Sequence, residues 1–219
     1  MDWELISSSL GPLLRGALFG TIPLALASFA LGLALALVVA LMRLSKVRVV
    51  SGIARAYVSV IRGTPLLVQL FVIFYGLPSV GVTLDPWPSA IIAFSANVGG
   101  YAAEVIRAAI QSVPKGQWEA AHMIGMSNRL ALRRIILPQA ARVSVPPLSN
   151  TFISLVKDTS LASLILVTEM FRKAQEIATA SGEFMTLYIE AAVLYWVICL
   201  FLSSGQSVLE RRLDRYVAH

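Results

Sequence analysis

The sequence predicts an all-α integral membrane protein with five transmembrane helices. Of its 219 residues 57% are hydrophobic and only 14% charged, where a soluble domain carries about a quarter. Mean hydropathy is +0.76, and the apolar residues come in blocks long enough to cross a bilayer, which takes about 20 residues as helix. Most of these blocks lack the polar face that a helix of a soluble bundle would show.

The first span is expected from about Leu13 to Met42, long enough to tilt or to include an interfacial lead-in. The second runs from about Ile53 to Leu77, the third from Trp87 to Ile110, the fourth from Val143 to Val167 and the fifth from Phe184 to Ser204. Together they form a single transmembrane domain over residues 1–219, with no internal repeat, low-complexity segment or separate soluble unit. Met1, Asp2 and Glu4 make an N-terminus without the basic region of a cleaved signal, so the first block is expected to remain as an anchor. Cys199 lies inside an apolar block and, as the single cysteine, has no intramolecular disulfide partner.

Lys and Arg set the orientation. Arg43, Lys46, Arg48 and Arg55 follow the first span. Arg107, Lys115, Arg129, Arg133, Arg134 and Arg142 lie between the third and fourth, and Arg211, Arg212 and Arg215 lie in the tail. The loop Pro78 to Pro86 carries no positive charge. The positive-inside rule then places the N-terminus outside and the C-terminus in the cytoplasm. Arg172 and Lys173 fall on the outer side but are surrounded by Glu169, Glu176 and Glu183. A net charge of +6 would also suit a nucleic-acid binder, but that needs a basic face on a soluble fold.

The second and third spans are joined by a tight Gly/Pro-rich loop, whereas about thirty residues separate the third and fourth, too many for a turn. That stretch mixes Trp118, Ala121, Ile124 and Gly125 with Lys115, Glu119, His122 and Arg129. It predicts an amphipathic helical hairpin on the cytoplasmic face.

Three spans carry polar clusters near a common depth. These are Arg62, Gly63, Thr64 and Pro65 with Gln69 in the second; Asn97, Gly99, Gly100 and Tyr101 in the third; and Asn150, Lys157, Asp158, Thr159 and Ser160 in the fourth. At 1.5 Å per residue each cluster lies roughly 10–20 Å from either end of its span. A charge at that depth costs at least about 2.5–3.5 kcal/mol and should face protein or water. Arg62 or Lys157 could pair with Asp158 or Glu104 and simply fix the bundle. Such a pairing leaves Gly63 and Pro65 unexplained, which weaken the second span at the same level. Asp158, Thr159 and Ser160 are good caps for a restarted helix, and transporters hold charged substrates at broken helices near the membrane midplane. The expectation is a midplane site with cationic and hydroxyl groups for a carboxylate, and Asp158 for an ammonium.

Smaller signals have plainer readings. Glu104 and Arg107 are three apart and suit a helix-surface ion pair. Gly11, Gly16, Gly20 and Gly32 suggest close helix packing. Trp3, Trp87 and Trp196 read as interfacial or core aromatics. His122 and His219 have no neighbouring ligands, so no metal site is expected.

Within the cytoplasmic segment, about 114–138, Glu119, Ala120 and Ala121 are followed after three residues by Gly125, and after nine more by Ile135, Ile136, Leu137 and Pro138. This resembles the EAA loop of ABC-importer permeases, EAA-x3-G-x9-I-x-L-P, at every specified position. The stretches Arg62 to Leu70, Gly116 to Ala121, Leu137 to Ala140 and Ser154 to Leu161 look like the polar amino acid (histidine, glutamine and arginine) permeases of that family. Phe74 to Pro78, Leu84 to Pro86, Lys115 to Trp118 and Pro147 to Ser154 are most similar to L-cystine importer permeases.

The resemblance implies a type I importer permease fold in a bacterial cytoplasmic (inner) membrane. The segment around Glu119, Ala120, Ala121, Gly125, Ile135, Leu137 and Pro138 would be a coupling helix docking on an ATPase subunit. It further implies two permease chains as a homodimer, an ATPase dimer, and an extracytoplasmic binding protein that delivers an amino acid such as L-cystine. The chain lacks a Gly-x4-Gly-Lys-Ser/Thr phosphate loop, so ATP and Mg belong to the partner ATPase and no cofactor is expected here. An amino acid carrier driven by an ion gradient is the alternative, though five spans without a visible inverted repeat argue against it. A non-transporting scaffold would leave the polar clusters unexplained, and no nucleophile–base pair suggests an enzyme.

Overall fold

The computed structural model describes residues Trp3 to Asp214. The expectations resting on Met1, Asp2, Arg215 and His219 lie outside the described residues. Every regular element among them is helical: α1 (Trp3–Gly16), α2 (Ile22–Arg43), α3 (Arg48–Gly63), α4 (Leu66–Phe71), α5 (Pro86–Ser112), α6 (Lys115–Met123), α7 (Asn128–Ala131), α8 (Leu137–Asp158), α9 (Met170–Ser181) and α10 (Phe184–Asp214). Three continuous helices are long and apolar enough to cross a membrane, Trp3–Arg43, Pro86–Ser112 and Phe184–Arg212, and up to five spans result if each of two bent pairs counts as one. The polytopic all-α class is therefore as predicted, but two of the expected spans are not straight.

Prolines account for much of the helix irregularity. Three π-helical turns, Ala17–Thr21, Val72–Gly76 and Leu132–Ile136, each end two residues before a proline, Pro23, Pro78 and Pro138. A proline has no N–H to donate and its ring crowds the carbonyl four residues back, and a locally widened turn absorbs both effects. The first of these turns joins α1 to α2 without breaking the rod, so the helix starts ten residues before the expected Leu13.

The centre of the bundle is α2 against α5. α2 offers Ala25, Ser28, Gly32, Ala36 and Ala40, all buried, and α5 answers with Ala90, Ala93, Phe94, Val98 and Ala102. Lipid tails are as apolar as leucine, so close van der Waals contact between small residues holds such helices together. At Gly32 a Cβ would lie 2.6 Å from Val98 Cβ, and at Gly20 only 2.5 Å from Glu169 Cα. Gly16 packs likewise on Met170, whereas Gly11 faces open space, contrary to the packing role expected of it. α10 is peripheral: 11% of its apolar window is buried, against 56% for α5.

The fourth span departs most from expectation. α8 gives way to a 3-10 turn, Thr159–Ile165, and Leu166 then takes a left-handed φ of 65°. The helix restarts as α9 after a 48° bend. The restart cap is Glu169, not Asp158, Thr159 or Ser160. Its carboxylate accepts from Phe171 N at 2.9 Å and Arg172 N at 2.6 Å, and Met170 N donates to Thr21 Oγ1 at 3.3 Å. Three of the N–H groups a helix leaves open at its start, those of Met170, Phe171 and Arg172, are thus satisfied, and Lys173 N makes the first intrahelical bond to the Glu169 carbonyl at 3.1 Å. On α9, Arg172 and Lys173 both pair with Glu176.

Candidate functional site

The second span breaks where its sequence is weakest. α3 ends at Gly63, Thr64 and Pro65 are extended, and the two halves, Arg48–Gly63 and Leu66–Val80, meet at 107°. A break inside a membrane leaves carbonyls without partners. Gln69 resolves this: its Nε2 donates to Ile61 O at 2.8 Å, Thr64 O at 3.1 Å and Thr64 Oγ1 at 3.0 Å. The Thr64 hydroxyl donates to Val60 O at 2.8 Å, and Gln69 Oε1 accepts from Asn97 Nδ2 at 3.1 Å. Asn97 on α5 is thereby fixed against the break.

Beside the break lies a cavity of about 410 Å³, within the size range of small-molecule sites. Thr64, Pro65 and Leu66 form one wall, Asn97, Val98 and Tyr101 of α5 a second, and Asn150, Thr151, Ser154, Leu155 and Asp158 of α8 a third. The guanidinium of Arg62 stands 5.5 Å from the Tyr101 ring centroid, in cation–π range. Asn150 Oδ1 accepts from Gln206 Nε2 of α10 at 3.1 Å. The Asp158 carboxylate, half-buried, accepts no hydrogen bond among the described residues.

Of the residues expected at this site, Thr64, Asn97, Tyr101, Asn150 and Asp158 share the cavity wall. Arg62 stands behind Tyr101, Gln69 holds the break, Gly63 ends α3, and Gly100 lies under Ile61, where a Cβ would meet Ile61 Cγ2 at 2.5 Å. Three residues do not join them. Lys157 and Ser160 line a separate groove of about 500 Å³ with Tyr195, Trp196 and Cys199. Thr159 is fully buried and donates to Val156 O at 2.7 Å. The reason is angular: each residue turns the side chain by about 100°, and the stripe that faces the cavity, Asn150, Thr151, Ser154, Leu155 and Asp158, leaves Lys157, Thr159 and Ser160 outside it. Helical spacing could have found Thr151, Ser154 and Leu155, since Asn150, Ser154 and Asp158 recur every fourth residue and Thr151, Leu155 and Asp158 follow at i, i+4 and i+7. Nor does either cation fix the bundle through Glu104, which pairs with Arg43 at 3.0 Å and with Arg107 at 2.9 Å.

The helical hairpin between α5 and α8 forms where expected. α6 contains Glu119 and Ala120, both exposed, and Ala121, buried. It ends in a Schellman closure, with Gly125 N donating to His122 O at 2.9 Å and Met126 N to Ala121 O at 3.0 Å. Gly125 takes φ of 80°, a conformation glycine adopts without a Cβ penalty. Met123 and Ile124 are 88% and 75% exposed at the tip, an apolar knob facing outward. Ser127 caps α7 through Leu130 N. Ile135 and Ile136 end the π turn and Leu137 and Pro138 open α8, so the spaced Leu-Pro marks the joint between hairpin and cavity wall.

A cavity at a broken helix in an apolar bundle, joined to an exposed helical hairpin, suits the membrane component of a transport system. The model of the family described as "Binding-protein-dependent transport system inner membrane component" matches residues 6–215. The chain belongs to this family, among the amino-acid ABC transporter permeases; it is the multi-pass inner-membrane component, and the ATPase is a separate subunit. The L-cystine transport system permease protein TcyB of Bacillus subtilis (strain 168) is 62% identical over 219 residues, covering 100% of this chain and 94% of that protein. The nopaline transport system permease protein NocM of Agrobacterium fabrum is 42% identical over 213 residues, covering 93% and 88%. A solved amino acid ABC transporter with histidines superposes with a TM-score of 0.91 at 34% identity, covering 97% of this chain and 99% of that one. The methionine transporter MetNI shares the fold at a TM-score of 0.72 and 18% identity.

Proposed function

We propose that this permease imports L-cystine by alternating access, in an ATP-driven complex whose ATPase subunit holds ATP and Mg. The observation that carries the reading is the cavity beside the Thr64–Pro65 break, with the Asp158 acid on one wall and the Arg62 guanidinium against Tyr101 of another. Cystine carries an ammonium and a carboxylate at each end of a disulfide. Asp158 takes an ammonium, Arg62 a carboxylate, and Asn97, Tyr101 and Asn150 the remaining polar edges, while Thr64, its proton held by Val60 O, shapes the wall at the break. The likeness to TcyB over the full chain supports the substrate.

In this reading residues 1–219 form one transmembrane domain with five spans, N-terminus outside and C-terminus in the cytoplasm. Two copies surround the path, and an extracytoplasmic binding protein delivers the substrate. The exposed tip of α6, with Glu119 and Ala120 beside Met123 and Ile124, docks on the ATPase. Closure of the ATPase dimer on ATP moves the tip, and α7 and α8 carry that motion to the cavity. Uptake of radiolabelled L-cystine into proteoliposomes holding the whole complex tests this. ATP-dependent uptake that competing amino acids leave unaffected is expected. Uptake of another amino acid in preference to cystine would discard the substrate, and uptake driven by an ion gradient without ATP would discard the mechanism.

A further inference from the structure

α6 and the cavity wall belong to one continuous arm: α6, the Gly125 turn, α7, the π turn, and then α8, whose far end carries Asn150, Ser154 and Asp158. A push on α6 reaches the cavity only if α6 does not rock on its turn. The turn contains a glycine with open space around its Cβ position, so backbone closure alone leaves a pivot there.

Two side-chain pairs bridge the pivot, one at each end of α6. His122 Nε2 lies 2.7 Å from Asn128 Oδ1, linking the last turn of α6 to the first residue of α7. An amide oxygen only accepts, so this pair places the ring proton on Nε2. Gln139 Nε2 donates to Gln117 Oε1 at 3.2 Å, linking the first turn of α6 to the first turn of α8, and the same nitrogen donates to Ile135 O at 3.1 Å. One such bond would leave a swivel, whereas two at opposite ends fix both position and angle. Neither pair falls on the specified residues of the Glu119 to Pro138 spacing.

We infer that His122, Asn128, Gln117 and Gln139 are positioning residues that fasten α6 to the base of α8, so that α6 and α8 move as one body. The inference rests on the coupling role proposed above for this hairpin. Losing a staple lets α6 rock about Gly125, and ATP hydrolysis then continues with less transport for each ATP consumed.

The test uses the complete complex in proteoliposomes, with its ATPase and binding protein and L-cystine as the probe, and reads uptake per ATP hydrolysed. His122→Ala, Asn128→Ala and Gln117→Ala each lower that ratio by about two- to tenfold, the range spanned by the loss of one ordinary hydrogen bond. The double variant of His122 and Asn128 falls no further than the worse single one, because both remove the same bond. His122→Gln, which still offers an N–H, recovers most of the ratio, and the KM for cystine stays put throughout. Should His122→Ala fail to assemble, His122→Gln and the Asn128 variants make the comparison in intact complex. Glu119→Lys separates the two failures. If it uncouples the complex while the staple variants keep the wild-type ratio, the staples do nothing and the inference is overturned. If it too leaves the ratio unchanged, the coupling role itself is wrong and the inference falls with it.

Discussion

The Tyr195 hydroxyl donates to Glu169 Oε2 at 2.8 Å, tying α10 to the cap of α9. Glu169 is fully buried and also accepts from Thr21 Oγ1 at 3.3 Å, so one carboxylate joins the first, fourth and fifth spans. Its remaining contacts are backbone N–H groups at a helix start, where a negative charge is favoured. Tyr195→Phe should therefore destabilise the purified protein by about 1–2 kcal/mol. Glu169→Ala, which strands several donors at once, should cost more. Thermal unfolding in detergent checks both, and a Tyr195→Phe protein melting like wild type would remove the latch from the account.

Two glycines of similar appearance should respond in opposite ways. A Cβ on Gly20 would lie 2.5 Å from both Glu169 Cα and Thr168 O, which are backbone atoms that cannot step aside. Gly20→Ala should lower the yield of folded protein sharply. A Cβ on Gly52 meets nothing within 4 Å, inside α3. Gly52→Ala should be neutral or stabilising by up to about 1 kcal/mol, the helix-propensity difference. Size-exclusion recovery of the two variants makes the comparison.

These contrasts show what sequence patterning reveals. The meeting of Thr64, Asn97, Tyr101, Asn150 and Asp158 and the break at Gly63, Thr64 and Pro65 were legible, because helix rise and backbone chemistry are local. So was the turn at Gly125. The cap at Glu169 was not: Asp158, Thr159 and Ser160 are better caps by propensity, and packing of Gly16 and Gly20 against residues 168–170 decided otherwise. The facing of Lys157 was likewise hidden, since its depth matched Asp158 while its angle did not. α9 falls between the fourth and fifth expected spans, because Arg172, Lys173 and Glu176 interrupt its apolar residues and leave too short a run to read as a span.

The angle between those neighbours gives a third prediction. Asp158→Asn should raise the KM for cystine uptake by about tenfold, as expected when a hydrogen bond to a charged group is lost. Lys157→Ala should leave KM within about twofold, since its side chain lines the other groove. Initial rates in proteoliposomes measure both. The reverse pattern would move the binding site to the groove beside Trp196.

Gly125→Ala places a Cβ in the left-handed region at φ 80°, at a cost of roughly 1–2 kcal/mol. The permease should still assemble with its ATPase while uptake per ATP declines. A variant that neither melts earlier nor uncouples would show that the sharp exit from α6 is dispensable.

The most direct test of the central claim is ATPase activity of the reconstituted complex, with the binding protein offered a panel of amino acids. Stimulation by the cystine-loaded binding protein is expected, as is loss of that stimulation when Glu119 is changed to Lys. An ATPase that did not associate with this chain, or that ignored every loaded binding protein, would contradict that claim.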